Sequence, residues 1–179
     1  KIHNNGLVRF CLMEHVSTIP ICSNALFIYR LDIKDNLVLK FKEEKFKPVP
    51  DAPNLVSRDL NILKKYKKLN TEINKAIDTT LKDVLKLKDI NYRIFSSWLT
   101  KVEPECAGEA HRHSNSWLSG IYYPKGDPGI ASEDNLLILF FSQLRHQIMP
   151  NRSTEERFSL AFNLLPKGEF GTADSRIIF

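Results

Sequence analysis

Cysteine is scarce. The chain has three among its 179 residues: Cys11, Cys22 and Cys106, far apart, odd in number and without a CxxC pair. This excludes a disulfide framework and a cysteine zinc site. It fits a reducing compartment in which the three are free, partly buried thiols. Long apolar runs are also missing. None approaches the roughly 18–20 residues that span a bilayer, and the N-terminal KIHNNGLVRFCLMEH lacks the apolar stretch of a secretory leader. The expectation is a cytoplasmic protein with no membrane partner. The chain opens on Lys1 and not on methionine, as a trimmed start would. No RNP, zinc-finger or helix-turn-helix pattern occurs, and there is no internal repeat or low-complexity tract. The net charge of +5 is mild. Its excess lies in KFKEEKFK (40–47) and KKYKKLN (64–70), which read as solvated faces, so nucleic acid is not an expected partner.

What is present fits a single domain over 1–179. Hydrophobic residues make up 42% and charged residues 26%, enough for a sizeable core. Residues 1–53 read as N-terminal strands and a loop. IPICSNALFIYRLDI and NLVLKFKEEKF hold no helical period, with turns at Lys34–Asn36, and KPVPDAP (47–53) is a proline-rich loop. Residues 54–88 read as supporting helices. Leu60, Leu63, Leu69, Ile73, Ile77, Leu81, Val84 and Leu85 recur at helical spacing, Ser57 is placed to cap with Asp59 in the first turn, and a break falls near Asn70–Thr71. From residue 90 the text turns β-branched and aromatic: INYRIFSSWLTKV, SWLSGIYYP, NLLILFFSQL and RFSLAFNLL. Residues 90–165 read as a β-core and 166–179 as a C-terminal tail. Strands after helices predict an α+β fold, a sandwich or barrel braced by helices against one sheet.

Chemistry concentrates in AHRHSNSWLSGIYYPKG, residues 110–126. Side chains two apart on a strand share a face, so His111 and His113 project together. His146 follows the apolar strand NLLILFF, and Arg157 follows His146. On a strand over 157–163, Arg157, Ser159, Ala161 and Asn163 line one face, while Phe158, Leu160 and Phe162 line the other. A barrel interior that carries Arg, Ser and Asn has something polar to hold. Tyr122 should face the core, opposite Tyr123. Trp98 and Trp117 read as core aromatics, with a place at the pocket border open to either. Asn115 and Ser116 read as turn residues or as contacts behind the site. His3 and His15 read as incidental.

The pattern H-x-H, a later H, then R-x-S resembles the double-stranded β-helix (jelly-roll, cupin-like) oxygenases that use Fe(II) and 2-oxoglutarate, over residues 90–165. The runs SSWLT, HRHSNS, SGIYYPKG and ERFSLAFN are similar to a bacterial and phage family grouped with those enzymes. The strand IYYP resembles the IYYLN strand of prolyl-4-hydroxylases. The resemblance implies a metal held by His111, His113 and His146, and 2-oxoglutarate held by Arg157, Ser159, Tyr123 and Asn163. It also implies a hydroxylase that consumes O2 and releases succinate and CO2, with its substrate unidentified. His113 departs from the superfamily, which places Asp or Glu there; the nearer family tends to carry H-x-H. The short text between GIYYPKGDPGI and NLLILFF suggests a loop missing near Ile130–Ser132. Two other readings stay open: a three-histidine cupin-type dioxygenase without 2-oxoglutarate, and a non-catalytic barrel that serves as a binding module.

Overall fold

The computed structural model describes residues 24–50, 52–87, 90–126, 133–170 and 177–178. Cys11, Cys22, His3, His15 and the suspected gap near Ile130–Ser132 lie outside them. Cys106 is a free, partly buried thiol.

Seven strands form one antiparallel sheet: β1 (Leu26–Arg30), β2 (Phe46–Val49), β3 (Ala52–Ser57), β4 (Asn91–Val102), β5 (Leu118–Tyr123), β6 (Leu136–Phe141) and β7 (Arg157–Lys167), in the order β1-β6-β5-β7-β4-β3-β2. The four segments rich in β-branched and aromatic residues supply β4 to β7, the middle of the sheet. The pairing of β4 with β7 runs from Asn91 opposite Lys167 to Val102 opposite Arg157, with a bulge between Ile94 and Ser96.

Period-two alternation gives the sheet two unlike faces. One carries Leu99, Leu118, Tyr122, Leu137, Leu139, Phe158, Leu160, Phe162 and Leu164. It is covered by a 3-10 turn (Ile62–Lys65), by α2 (Lys67–Thr79) and by the π-helical turn Thr80–Val84, which contribute Ile62, Leu63, Leu69, Ile73, Ile77 and Leu81. Each large side chain buried there contributes on the order of 1.5–3 kcal/mol. Tyr122 is wholly buried in this layer, and its hydroxyl donates to Asn135 Oδ1 at 2.6 Å.

A shorter ladder closes the opposite face. Segment 105–113 runs antiparallel to 142–151. The backbone N–H of Glu105 donates to Asn151 O, Gly108 to Ile148 O, and His113 to Ser142 O, at 2.8, 3.0 and 3.0 Å. The buried Asn151 amide donates to Val102 O and Glu155 O, tying this ladder to the ends of β4 and β7. The architecture is α+β: a jelly-roll core of two β-layers, with helices on the outer face of the larger one.

Several expectations fail, each for a local reason. NLVLKFK is not a strand. Residues Leu37–Lys42 form α1, capped by the Asn36 side chain, which accepts from Leu39 N–H at 3.4 Å. Leu37 and Phe41, one turn apart, bury the same side. KPVPDAP is not a plain loop but runs through the β2–β3 hairpin. Pro48 is tolerated because β2 is an edge strand with its register shift at Pro48/Val49. Ser57 caps no helix. Its hydroxyl donates to Asp59 O at 2.7 Å and accepts from Leu99 N–H at 3.0 Å, stitching β3 to β4. The helical region breaks at Tyr66, not at Asn70–Thr71. Leu69, Ile73, Ala76 and Ile77 keep one unbroken buried stripe through that point, while Leu60 and Val84 are exposed. In the C-terminal tail, β8 (Glu169–Phe170) pairs with β9 (Ile177–Ile178). Among the described residues no helix is long and apolar enough to cross a membrane.

Candidate metal centre

His111 and His146 are directly paired on the short ladder, each donating its N–H to the other's carbonyl at 2.9 Å. His113 follows two residues later. The three imidazoles converge, with ring centroids 4.4 Å apart for His111–His146, 5.1 Å for His111–His113 and 5.2 Å for His113–His146. One nitrogen from each lies within 4.8 Å of the other two. Phe140 packs edge-on against His146 at 4.8 Å, and Trp98 stands 5.9 Å from His113. Trp98 is thus a wall of the pocket, while Trp117 packs on the helix-side core.

The proton states suit a metal. His111 Nδ1 lies 2.9 Å from Glu109 O, and His146 Nδ1 lies 3.0 Å from Leu144 O. A carbonyl only accepts, so each Nδ1 carries a hydrogen, and it is Nε2 that holds the lone pair in the neutral ring. Burial, reinforced by the two neighbouring imidazoles, pushes the His113 pKa down to about 4. Burial also lowers that of His146, against the Leu144 carbonyl, which raises it, and with His111, which lowers it further. Neutral imidazole is the form that ligates. The donor set therefore fits a divalent transition-metal cation such as iron, which the three imidazoles would hold.

The histidines open into a cavity of about 380 Å³ between the two layers. Its wall is the other face of the sheet, where polar and apolar side chains mix: Trp98 and Thr100 from β4, Ile121 and Tyr123 from β5, and Arg157, Ser159 and Ala161 from β7. The expected alternation on β7 holds, since Phe158, Leu160 and Phe162 are buried on the far side. Arg157 Nη2 donates to Met149 O at 2.5 Å. Its acidic sequence neighbours are engaged elsewhere as well: Glu156 takes Lys101 at 2.8 Å and Glu155 takes Lys125 at 3.2 Å. Tyr123 and Ser159 border the same cavity. Asn163 sits deeper. It is only 4% exposed, with one end of its amide 2.7 Å from Ser119 Oγ and the other 3.4 Å from His113 Nδ1. Of the serines behind it, all buried and joined by hydrogen bonds, Ser116 was a candidate for a contact behind the site, whereas Ser119 and Ser142 were not anticipated. The signal was present, because Ser119 shares a strand face with Tyr123.

No protein-family model and no curated protein sequence matches the chain. Solved structures do. One is an oxidoreductase of the 2OG-Fe(II) oxygenase family from Burkholderia pseudomallei, 14% identical, with a TM-score of 0.53 over 72% of this chain and 75% of that one. Another is a prolyl-4-hydroxylase from Pseudomonas putida, 14% identical, with a TM-score of 0.51 over 79% of this chain and 92% of that one. At that identity the likeness is one of fold, and the fold of this chain is the double-stranded β-helix of those two proteins.

Proposed function

We propose that this chain is an Fe(II)- and 2-oxoglutarate-dependent oxygenase of the hydroxylase type. One observation carries the reading. His111, His113 and His146 converge in a cavity whose lining also includes Arg157 and Ser159 from β7. From Asn163, beside His113, to Arg157 is about 20 Å of strand at roughly 3.3 Å per residue. That length accommodates an iron ligand, a five-carbon dicarboxylate and the reach of an arginine.

The residues have separate tasks. The three imidazoles would hold the metal. Arg157 binds the far carboxylate of 2-oxoglutarate through its planar fork, exchanging the Met149 carbonyl for a full charge. Ser159, two residues along the same face, and Tyr123, from β5, donate further hydrogen bonds to it. Trp98 and Phe140 pack beside His113 and His146. Iron bound there would activate O2, the oxidant; 2-oxoglutarate would supply two electrons as it is decarboxylated, one oxygen atom ending in succinate with release of CO2 and the other in the hydroxylated substrate.

The test is an anaerobic Fe(II) titration together with succinate release from 2-oxoglutarate. Stoichiometric iron and succinate formation are expected, and a wild type that binds no Fe(II) ends the proposal. A second reading rests on His113. An all-imidazole set also suits a cupin-type dioxygenase that binds its substrate directly, and turnover undiminished without 2-oxoglutarate would favour it. The convergence of the imidazoles speaks against a purely structural barrel.

A further inference from the structure

Behind His113 runs a chain of buried polar groups. Ser116 Oγ lies 2.9 Å from Leu118 O and 3.2 Å from Leu164 O. Ser142 Oγ lies 2.9 Å from Ser116 Oγ, and Ser119 Oγ lies 2.8 Å from Ser142 Oγ. Ser119 Oγ lies 2.7 Å from the Asn163 amide, which reaches His113 Nδ1 at 3.4 Å. The three serines and Asn163 are all less than a tenth exposed. Water therefore does not supply missing donors, and the chain has to be satisfied from within.

Its hydrogens can be counted. Each hydroxyl has one. Carbonyls only accept, so Ser116 spends its hydrogen on Leu118 O and Leu164 O. Ser142 must then donate to Ser116, and Ser119 must donate to Ser142. Ser119 has no hydrogen left for Asn163, so it accepts, and the end of the amide that faces it is the NH2. The structure sets Oδ1 towards Ser119 and Nδ2 towards His113. That orientation leaves one of the short O···O contacts without a hydrogen. Turning the amide over keeps every heavy-atom position and satisfies them all.

We infer that Asn163 presents its carbonyl oxygen to His113 Nδ1–H, and that the Ser116–Ser142–Ser119 relay fixes this orientation, making Asn163 a positioning residue for the third metal ligand. All three histidines then share one arrangement. Nδ1–H donates to an oxygen, from Glu109, Asn163 or Leu144, and Nε2 turns a lone pair to the centre. The opposite amide orientation would put the neutral ring's hydrogen on Nε2 and block ligation there. Such partners behind a ligand typically change metal affinity by about 10–100-fold when removed. The inference deepens the metal-centre reading and rests on it only for its effect on affinity.

The tautomer can be measured without turnover. Long-range 1H–15N correlation spectra of the metal-free chain report which ring nitrogen of His113 is protonated. Wild type is expected to show Nδ1–H, and Asn163→Asp, which keeps an acceptor there, is expected to do the same. Ser119→Ala, a milder change that frees the amide to turn either way, should give a mixture. Asn163→Leu should lose the preference and bind Zn(II) about 10-fold more weakly. A wild-type His113 in the Nε2–H form overturns the inference, and so does Zn(II) affinity unchanged in Asn163→Leu. A wild type that shows Nδ1–H yet binds no Zn(II) supports the relay and sinks only the metal-centre reading.

Discussion

His111 and His146 exchange both backbone hydrogen bonds at 2.9 Å, and their rings stand 4.4 Å apart. The geometry of this ligand pair is therefore set by strand register. A slip of one residue on either segment would turn one ring to the opposite face.

The pair predicts an asymmetry between metal binding and folding. His146→Ala removes a ligand but no backbone bond, so the ladder persists. Divalent-metal binding should be lost in an anaerobic Fe(II) titration, while the circular dichroism spectrum stays unchanged. A parallel collapse of secondary structure would show that the side chain holds the ladder together.

Arg157 should separate cosubstrate from metal. Arg157→Ala deletes a charge-assisted fork worth roughly 1.5–3 kcal/mol, or about 10–100-fold in 2-oxoglutarate affinity. Iron affinity in the absence of 2-oxoglutarate should hardly move, because the arginine lies at the far end of the β7 wall. Calorimetry with each ligand in turn reads the contrast. Equal losses for both would place Arg157 in the wrong role.

Proton linkage gives a third expectation for the metal-free chain. Free imidazole titrates near 6.5, whereas folded His113 is held down to about 4, mainly by burial, and His146 is shifted the same way. Between those values the unfolded chain binds more protons than the folded one, so stability falls as pH drops from about 6.5 to about 4. Below about 4 the His113 contribution levels off. Melting temperatures of chelator-treated protein should follow this slope, and His113→Gln should flatten it.

What could be read from the text and what could not have the same physical root. Over 157–163 each side chain's environment follows from its own alternation, because β7 lies in mid-sheet between a closely packed apolar layer and a cavity. The convergence of His111 with His146 needed more than spacing. Pairing register brings them together, and only the family pattern pointed to it. Misread segments sit where tertiary context overrides local signal. NLVLKFK has strand-like residues, yet Asn36 supplies a cap and the burial of Leu37 and Phe41 selects the helix. KPVPDAP has turn residues, yet an edge position lets Pro48 enter a strand. Of the serine relay only Ser116 was suspected, because single serines carry no periodic signal. Only their mutual distances reveal it.

Gly120, in the SGIYY run, lies on β5 opposite Phe162 and Leu139. A Cβ there would stand 2.2 Å from Phe162 Cζ and 2.8 Å from Leu139 Cδ2. Phe162 is wholly buried, so its ring cannot swing aside into solvent. Gly120→Ala should cost about 1–3 kcal/mol, lowering the melting temperature by about 2–4 °C for each kcal/mol in a chain of this size. Shortening the obstacle should return part of the loss, so Gly120→Ala with Phe162→Leu should be more stable than the sum of the single changes allows. The strain also has a direction. Ser119 and Asn163, the neighbours of Gly120 and Phe162 in sequence, face each other across the same two strands. A displaced Phe162 therefore disturbs the support of His113, and metal affinity in Gly120→Ala should fall alongside stability and recover with it in the double variant. Recovery of stability without recovery of affinity would separate the packing of this strand pair from the polar relay on its other face.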